Sequence, residues 1–189
     1  MSSVSICGGS RYYPNTKTYN LAYKIAKELD NNNVRVICGA GRGIMSAIGQ
    51  AYSTGNINLC IRVGIQQDFE DNAEDCYRFD GNGILQMTSS LTEQSNYIIN
   101  NGNVIIFFPG GSGTMNEFFN VIANKIYINK PIICIGKLYK DLVNIILEND
   151  RNEGTDNFRF INYINNKIFL IDCIDDNETI YRVKEFLQL

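Results

Sequence analysis

Three glycine-rich stretches carry the residue types that hold anions: Cys7-Gly8-Gly9-Ser10-Arg11, Cys38-Gly39-Ala40-Gly41-Arg42-Gly43-Ile44-Met45 and Pro109-Gly110-Gly111-Ser112-Gly113-Thr114-Met115-Asn116-Glu117. Glycine lets backbone N–H groups approach a ligand closely, and adjacent hydroxyls add donors. In the third stretch, the Gly110, Gly111 and Gly113 backbone with the Ser112 and Thr114 hydroxyls is expected to wrap a phosphate at the start of a helix. The helix dipole favours negative charge at that point. Glu117 would then lie one turn in, near whatever the phosphate is attached to. A second reading stays open, because Thr114-x-x-Glu117 also has the spacing of a capping box, in which Glu117 returns to the backbone amide of Thr114. The stretch Gly39–Gly43 imitates a dinucleotide fingerprint, but its G-x-G-x-G spacing is off and it follows the second strand-like run. A Walker P-loop is excluded, since no Gly-Lys-Ser/Thr occurs at any of these turns.

Composition removes other chemistries. The 189 residues include no His, which excludes Ser-His-Asp and Cys-His nucleophiles and His-based metal sites. Any acid or base must be Asp, Glu, Lys, Tyr or Cys. With 17 basic against 20 acidic residues, net charge -3 and no run of five basic residues, the chain lacks the cationic footprint of a nucleic-acid binder. No apolar stretch approaches the roughly 18 residues needed to span a bilayer. The start Met-Ser-Ser-Val-Ser lacks a basic region before an apolar core, so a cytoplasmic location is expected, without membrane partners. Of six Cys, Cys7, Cys38, Cys60, Cys134 and Cys173 sit in short apolar runs and are expected to be buried, reduced thiols.

The elements that must position these residues follow from hydrophobic patterning. Short runs rich in Ile and Val recur at Val4–Cys7, Val34–Cys38, Asn58–Val63, Val104–Phe108, Pro131–Ile135 and Ile168–Cys173. They are apolar on both faces, as strands of a covered parallel sheet must be. Helix-period segments alternate with them at Tyr19–Leu29, Gly43–Tyr52, Leu91–Asn100, Thr114–Ile128, Tyr139–Leu147 and Glu178–Leu187. The alternation predicts an α/β fold: one doubly wound, Rossmann-like domain over 1–189 with a mainly parallel sheet flanked by helices. Ligands in such folds bind beyond the carboxyl ends of the strands, where all three glycine stretches fall. The acidic region Gln66–Gly83 has no clean period and reads as a solvated excursion or as a lid over the site. Helix Thr114–Ile128 carries Phe118, Phe119, Ile122, Ile126 and Ile128, more apolar surface than one sheet face needs.

The stretch Pro-Gly-Gly-x-Gly-Thr-x-x-Glu after an Ile/Val/Phe strand resembles the signature of the LOG (Lonely Guy) family. The likeness extends to Ile6-Cys7-Gly8-Gly9-Ser10 and to Gly39-Ala40-Gly41-Arg42-Gly43-Ile44-Met45, in order along roughly Val4 to Leu147. The resemblance implies hydrolysis of the N-glycosidic bond of a purine nucleoside 5'-monophosphate, by a homodimer, without metal or other cofactor. The lysine decarboxylase label some members carry implies a pyridoxal-phosphate Lys, which nothing in the sequence supports. By resemblance, Glu117 stabilises the positive charge developing on the ribose or orients the attacking water, and Gly110, Gly111, Gly113 and Thr114 hold the 5'-phosphate. Gly9, Ser10, Gly41, Gly43 and Met45 are further candidates for the nucleotide cleft. One departure stands out. Where family enzymes carry a catalytic Arg, commonly within Glu-Arg-Lys, this chain has Glu93-Gln94-Ser95. Gln94 donates a hydrogen bond but carries no charge, leaving Arg11, Arg42 or Arg78 to substitute. Relatives of the same superfamily, among them molybdenum-cofactor carriers and nucleotide-sensing SLOG domains, bind without hydrolysing. That is the alternative to a phosphoribohydrolase.

Overall fold

The computed structural model describes residues 2–67, 82–124, 130–152, 166–171 and 176–189. Along the chain they form β1 (Ser3–Cys7), α1 (Lys17–Asn31), β2 (Arg35–Gly39), α2 (Ile44–Ser53), β3 (Cys60–Ile65), β4 (Ile84–Thr88), α3 (Leu91–Asn101), β5 (Val104–Phe107), α4 (Ser112–Ala123), β6 (Ile132–Ile135), α5 (Lys137–Asn152), β7 (Ile168–Ile171) and α6 (Asp176–Leu187). All pairings are parallel, in the order β4-β3-β2-β1-β5-β6-β7. This is the expected Rossmann-like α/β fold.

Burial explains why the strands were readable. Val4, Ile6, Val36, Cys38 and Ile106 pack against α1, α2 and α6, while Cys7, Ile37, Ile105 and Phe107 pack against α3, α4 and α5. Successive strand residues point to opposite faces, so two covered faces demand continuous apolar runs. The stripe Leu21, Ile25, Ala26 and Leu29 of α1 is buried as its helical period predicts. Cys7, Cys38, Cys60 and Cys134 are buried thiols that form no disulfide among the described residues.

Three differences from expectation bear on the sheet edge and the site. Strand β4 was not anticipated: it lies at the sheet edge with Ile84 48% exposed, so its sequence lacks the signal of a doubly covered strand. Residues Ile57–Leu59 form a short 3-10 turn, so β3 starts at Cys60 and continues to Ile65 instead of spanning Asn58–Val63. Helix α4 begins at Ser112, two residues before the expected Thr114, and ends at Ala123. Residues 68–81, which hold most of the acidic excursion together with Arg78 and Cys76, lie outside the described residues. So do Ile126, Ile128 and Cys173.

The chain leaves β1 outward through β2, β3 and β4, then returns to place β5 on the other side of β1. That reversal opens a crevice at the carboxyl ends of β1 and β5. Backbone contacts lock the three glycine turns around it. The Gly9 N–H donates to the Pro109 carbonyl at 3.0 Å, and the Gly9 carbonyl accepts from Ile44 N–H at 3.1 Å. Gly43 has φ +68°, and a Cβ there would collide with the Gly9 carbonyl oxygen. Gly43→Ala is therefore expected to lower stability by about 2 kcal/mol, combining backbone strain and overpacking. Urea unfolding checks this, and a loss below about 0.5 kcal/mol, the scale of an ordinary surface change, would show that the turns do not interlock.

Candidate functional site

The crevice has a volume of about 1500 Å³ and is lined by the candidates Gly9, Ser10, Gly41, Gly43, Met45, Gln94, Gly110, Gly111, Ser112, Gly113, Thr114 and Glu117. Arg11 and Arg42 line it as well, with Tyr12 and Tyr13. Tyr12 packs its ring against Gly9, whereas Tyr13 is 71% exposed.

Capping distinguishes the helices that open on the crevice. Helix α1 has Thr16 as its N-cap, accepting from Tyr19 N–H, and α3 has Ser90, accepting from Glu93 N–H. Helices α2 and α4 have Gly43 and Gly111 at their cap positions, with no side-chain cap and no acidic residue in the first turn. The first amides of a helix have no intrahelical acceptor. At α2 and α4 the positive ends of two dipoles therefore face one cavity without a side-chain carboxylate in either first turn to offset them. Gly111 and Gly113 are exposed, and a Cβ on either would meet open space, so the backbone of the third turn stands bare toward a ligand.

Glu117 lies one turn deeper on α4 and is partly buried. Because α4 starts at Ser112, Thr114 is already its third residue, and the capping-box reading fails: Gly111 occupies the cap position. The Glu117 carboxylate instead accepts from Ser95 Oγ at 3.3 Å and from the Cys7 thiol. Burial holds its carboxyl above the usual carboxylate range, outweighing the lowering effect of those two hydrogen bonds. Burial first, and then the Glu117 charge, push the Cys7 thiol well up, so it stays protonated and donates.

Helix α3 sets the neighbouring residues. Glu93 accepts from Ser89 N–H at 2.7 Å and from Ser89 Oγ at 2.6 Å, fixing the entry to the helix. The same contacts hold the exposed Glu93 carboxyl below its ordinary value. Gln94 and Ser95 follow on the buried side. Gln94 Nε2 donates to the Val63 carbonyl at 2.6 Å, so its amide ties α3 to β3. The side chain standing where the resemblance to LOG enzymes expects Arg is thus neutral and committed to the backbone.

Two residues of this region were missed from the sequence. Ser95 follows Gln94 directly, and its buried hydroxyl reaches Glu117 across 22 residues of chain. Arg62 is fully buried in β3, its guanidinium on the Gly39 and Gly41 carbonyls. A lone charge inside the apolar run Cys60–Ile65 was the available signal. No cluster of His, Cys, Asp and Glu placed to hold a metal occurs among the described residues, and none of their helices is long and apolar enough to cross a membrane.

Residues 1–160 match the SLOG cluster4 family. No curated protein matches the sequence. Among solved structures, the molybdenum cofactor binding protein of Rippkaea orientalis is similar at 18% identity and TM-score 0.65, over 98% of this chain and 97% of that one. The molybdenum cofactor carrier protein of Chlamydomonas reinhardtii is similar at 15% identity and TM-score 0.63, over 100% and 99%. DNA processing protein A of Helicobacter pylori, whose mode of binding single-stranded DNA is described, is similar at 15% identity and TM-score 0.58, over 98% and 81%. At these identities the likeness is one of fold.

The Glu117 environment generates a prediction. Its pKa is higher in the folded than in the unfolded chain, so its contribution to stability is lost as pH rises from the ordinary carboxylate range through the folded value. Glu117→Gln is therefore expected to raise the melting temperature at pH 7, with the gain shrinking as pH falls through the raised folded value and gone below the ordinary carboxylate pKa of about 4.3. Calorimetric melts across that range check the sign, and a variant that melts lower at pH 7 would contradict it.

Proposed function

The chain belongs to the SLOG cluster4 family, and we propose that its crevice binds a nucleoside 5'-monophosphate and retains it without cleavage. The phosphate sits on the bare turn Gly110–Thr114 at the uncapped start of α4, with the Gly41–Gly43 turn and Arg42 lining the same crevice. The single observation that carries retention is the Gln94 amide bonded to the Val63 carbonyl. Cleavage of an N-glycosidic bond builds positive charge on the ribose, which an ionised carboxylate stabilises. A cation beside Glu117 would favour that ionised form. Gln94 supplies none, and burial favours the neutral acid instead. The molybdenum cofactor binding and carrier proteins of similar fold support a ligand-holding role.

Hydrolysis to free base and ribose 5-phosphate is the second reading, favoured by Glu117, which lies just beyond the phosphate turn in the same crevice as Arg11 and Arg42. Purified protein incubated with AMP and a panel of other nucleoside monophosphates separates the two. Calorimetric binding with no free base by chromatography is the expected result. Base release that disappears in Glu117→Gln would establish the phosphoribohydrolase and overturn retention.

Gly113→Ala tests the phosphate turn itself. Alanine in the first turn of α4 is expected to stabilise the protein by up to about 1 kcal/mol. Its methyl group, entering open space over the turn, is expected to weaken AMP binding about tenfold. Loss of stability with unchanged affinity would remove this turn from the site.

A homodimer and a cytoplasmic location complete the reading. Phe119 on α4 keeps 41% of its surface exposed while packing against buried Phe118, with ring centroids 5.6 Å apart. Light scattering is expected to give twice the 21.4 kDa chain mass; the chain mass alone would count against the dimer.

A further inference from the structure

Arg62 occupies the middle of β3 with 0% of its surface exposed. Burying a guanidinium is unfavourable unless its donors are met. Here the partners are main-chain carbonyls: Nε donates to Gly39 and Nη2 to Gly41, each at 3.1 Å, and Nη1 donates to Asn82 at 3.4 Å. The surrounding chain is shaped to admit it. Helix α2 crosses the guanidinium at Gly49, where a Cβ would collide with Nη1, and at Gly83, with φ +117°, a Cβ would lie 3.0 Å from Arg62 Cγ.

Two of those three carbonyls belong to the glycine turn that enters α2. In a trans peptide the carbonyl and the following N–H point in opposite directions. With the Gly41 carbonyl drawn inward onto Nη2, the Arg42 N–H is turned outward, on a stretch where Gly41, Arg42 and Gly43 all line the crevice. The other end of the turn is pinned independently, because Ala40 N–H donates to the Val63 carbonyl at 2.8 Å. That carbonyl also receives the Gln94 amide.

We propose that Arg62 is a positioning residue for the anion site: its guanidinium clasps the Gly39–Gly43 turn from below, presents the Arg42 amide to the ligand, and places a positive charge behind the wall the phosphate faces. The inference rests on the phosphate-binding reading of the crevice. Arginine suits the task because one planar fork reaches two carbonyls at once. Lysine keeps the charge but brings a single donor centre to two separated acceptors. Methionine fills a similar volume with neither charge nor donor.

The test compares the parent protein with Arg62→Lys, Arg62→Met and Gly49→Ala. The last pushes the guanidinium aside from the α2 face without removing it. AMP affinity is measured by calorimetry, backbone amide exchange is followed residue by residue, and folding is monitored by thermal melting. The expected result is a loss of AMP affinity of tenfold or more in Arg62→Met and a smaller loss in Arg62→Lys and Gly49→Ala. Faster exchange should appear at Gly41–Gly43 and not at Gly110–Thr114. A merely structural arginine would lower melting temperatures without confining the exchange to one turn. Should Arg62→Met not fold, Arg62→Lys and Gly49→Ala carry the comparison. Parent-like AMP affinity in the folded variants, or exchange unchanged at Gly41–Gly43, overturns this inference alone. A parent protein that binds no AMP overturns the nucleotide reading and this inference with it.

Discussion

Everything in the crevice depends on the main chain of one residue. Gly9 donates to the Pro109 carbonyl and accepts from the Ile44 amide, so the turn after β1 is bonded at once to the turn after β5 and to the first residue of α2. Gly43 closes against the Gly9 carbonyl so tightly that no Cβ fits between them. These contacts exist because β1 is central in the sheet, between β2 and β5, and the connections leave it in opposite directions. Strand order thus becomes a cavity wall through backbone hydrogen bonds, and α2 and α4 are brought to the same opening.

The electrostatics follow from what is left out at that opening. Helices α1 and α3 satisfy their first amides with Thr16 and Ser90, while α2 and α4 leave theirs without side-chain caps. Positive potential from two helix ends is offset chiefly by Glu117, whose burial favours the neutral acid. Ser95 and Cys7 both donate to that carboxylate, which stabilises its ionised form only in part. Gln94 and Arg62 meet around the middle of β3, one bonded to Val63 and the other to the turn that Val63 also holds through Ala40. Two helix starts without side-chain caps meet at the crevice, and the groups bonded to its acid, Ser95 and Cys7, are neutral.

The order of strands and helices was legible because a sheet covered on both faces writes continuous Ile and Val runs into the sequence. Edge strand β4 was not, since Ile84–Thr88 needs no such run when one side faces solvent. The site residues were legible from glycine clustering and from the Pro109–Glu117 motif. What they do was less so. The Thr114-x-x-Glu117 spacing fits a capping box if the helix starts at Thr114, and helix starts shift by a residue or two without leaving a mark in the pattern. Starting at Ser112 turns Glu117 from a cap into a crevice acid. The departure at Gln94 was visible, but its bond to Val63 spans 31 residues of chain and belongs to tertiary packing. Arg62 was hidden by its own setting, one charge in a stretch that otherwise reads as core.

The bare glycines of the third turn carry a consequence for how such a protein changes over generations. A ligand held by peptide amides is held by atoms every amino acid possesses, so on the proposed reading substitutions outside the turn's glycines leave the hold intact so long as the loop keeps its shape. Around it, the side chains of Gln94, Met45 and Tyr12 line the crevice without being part of that backbone hold. Recognition of the anion and the fate of the rest of the ligand are therefore inherited separately. A lineage can exchange turnover for safekeeping, or the reverse, at positions that never touch the phosphate.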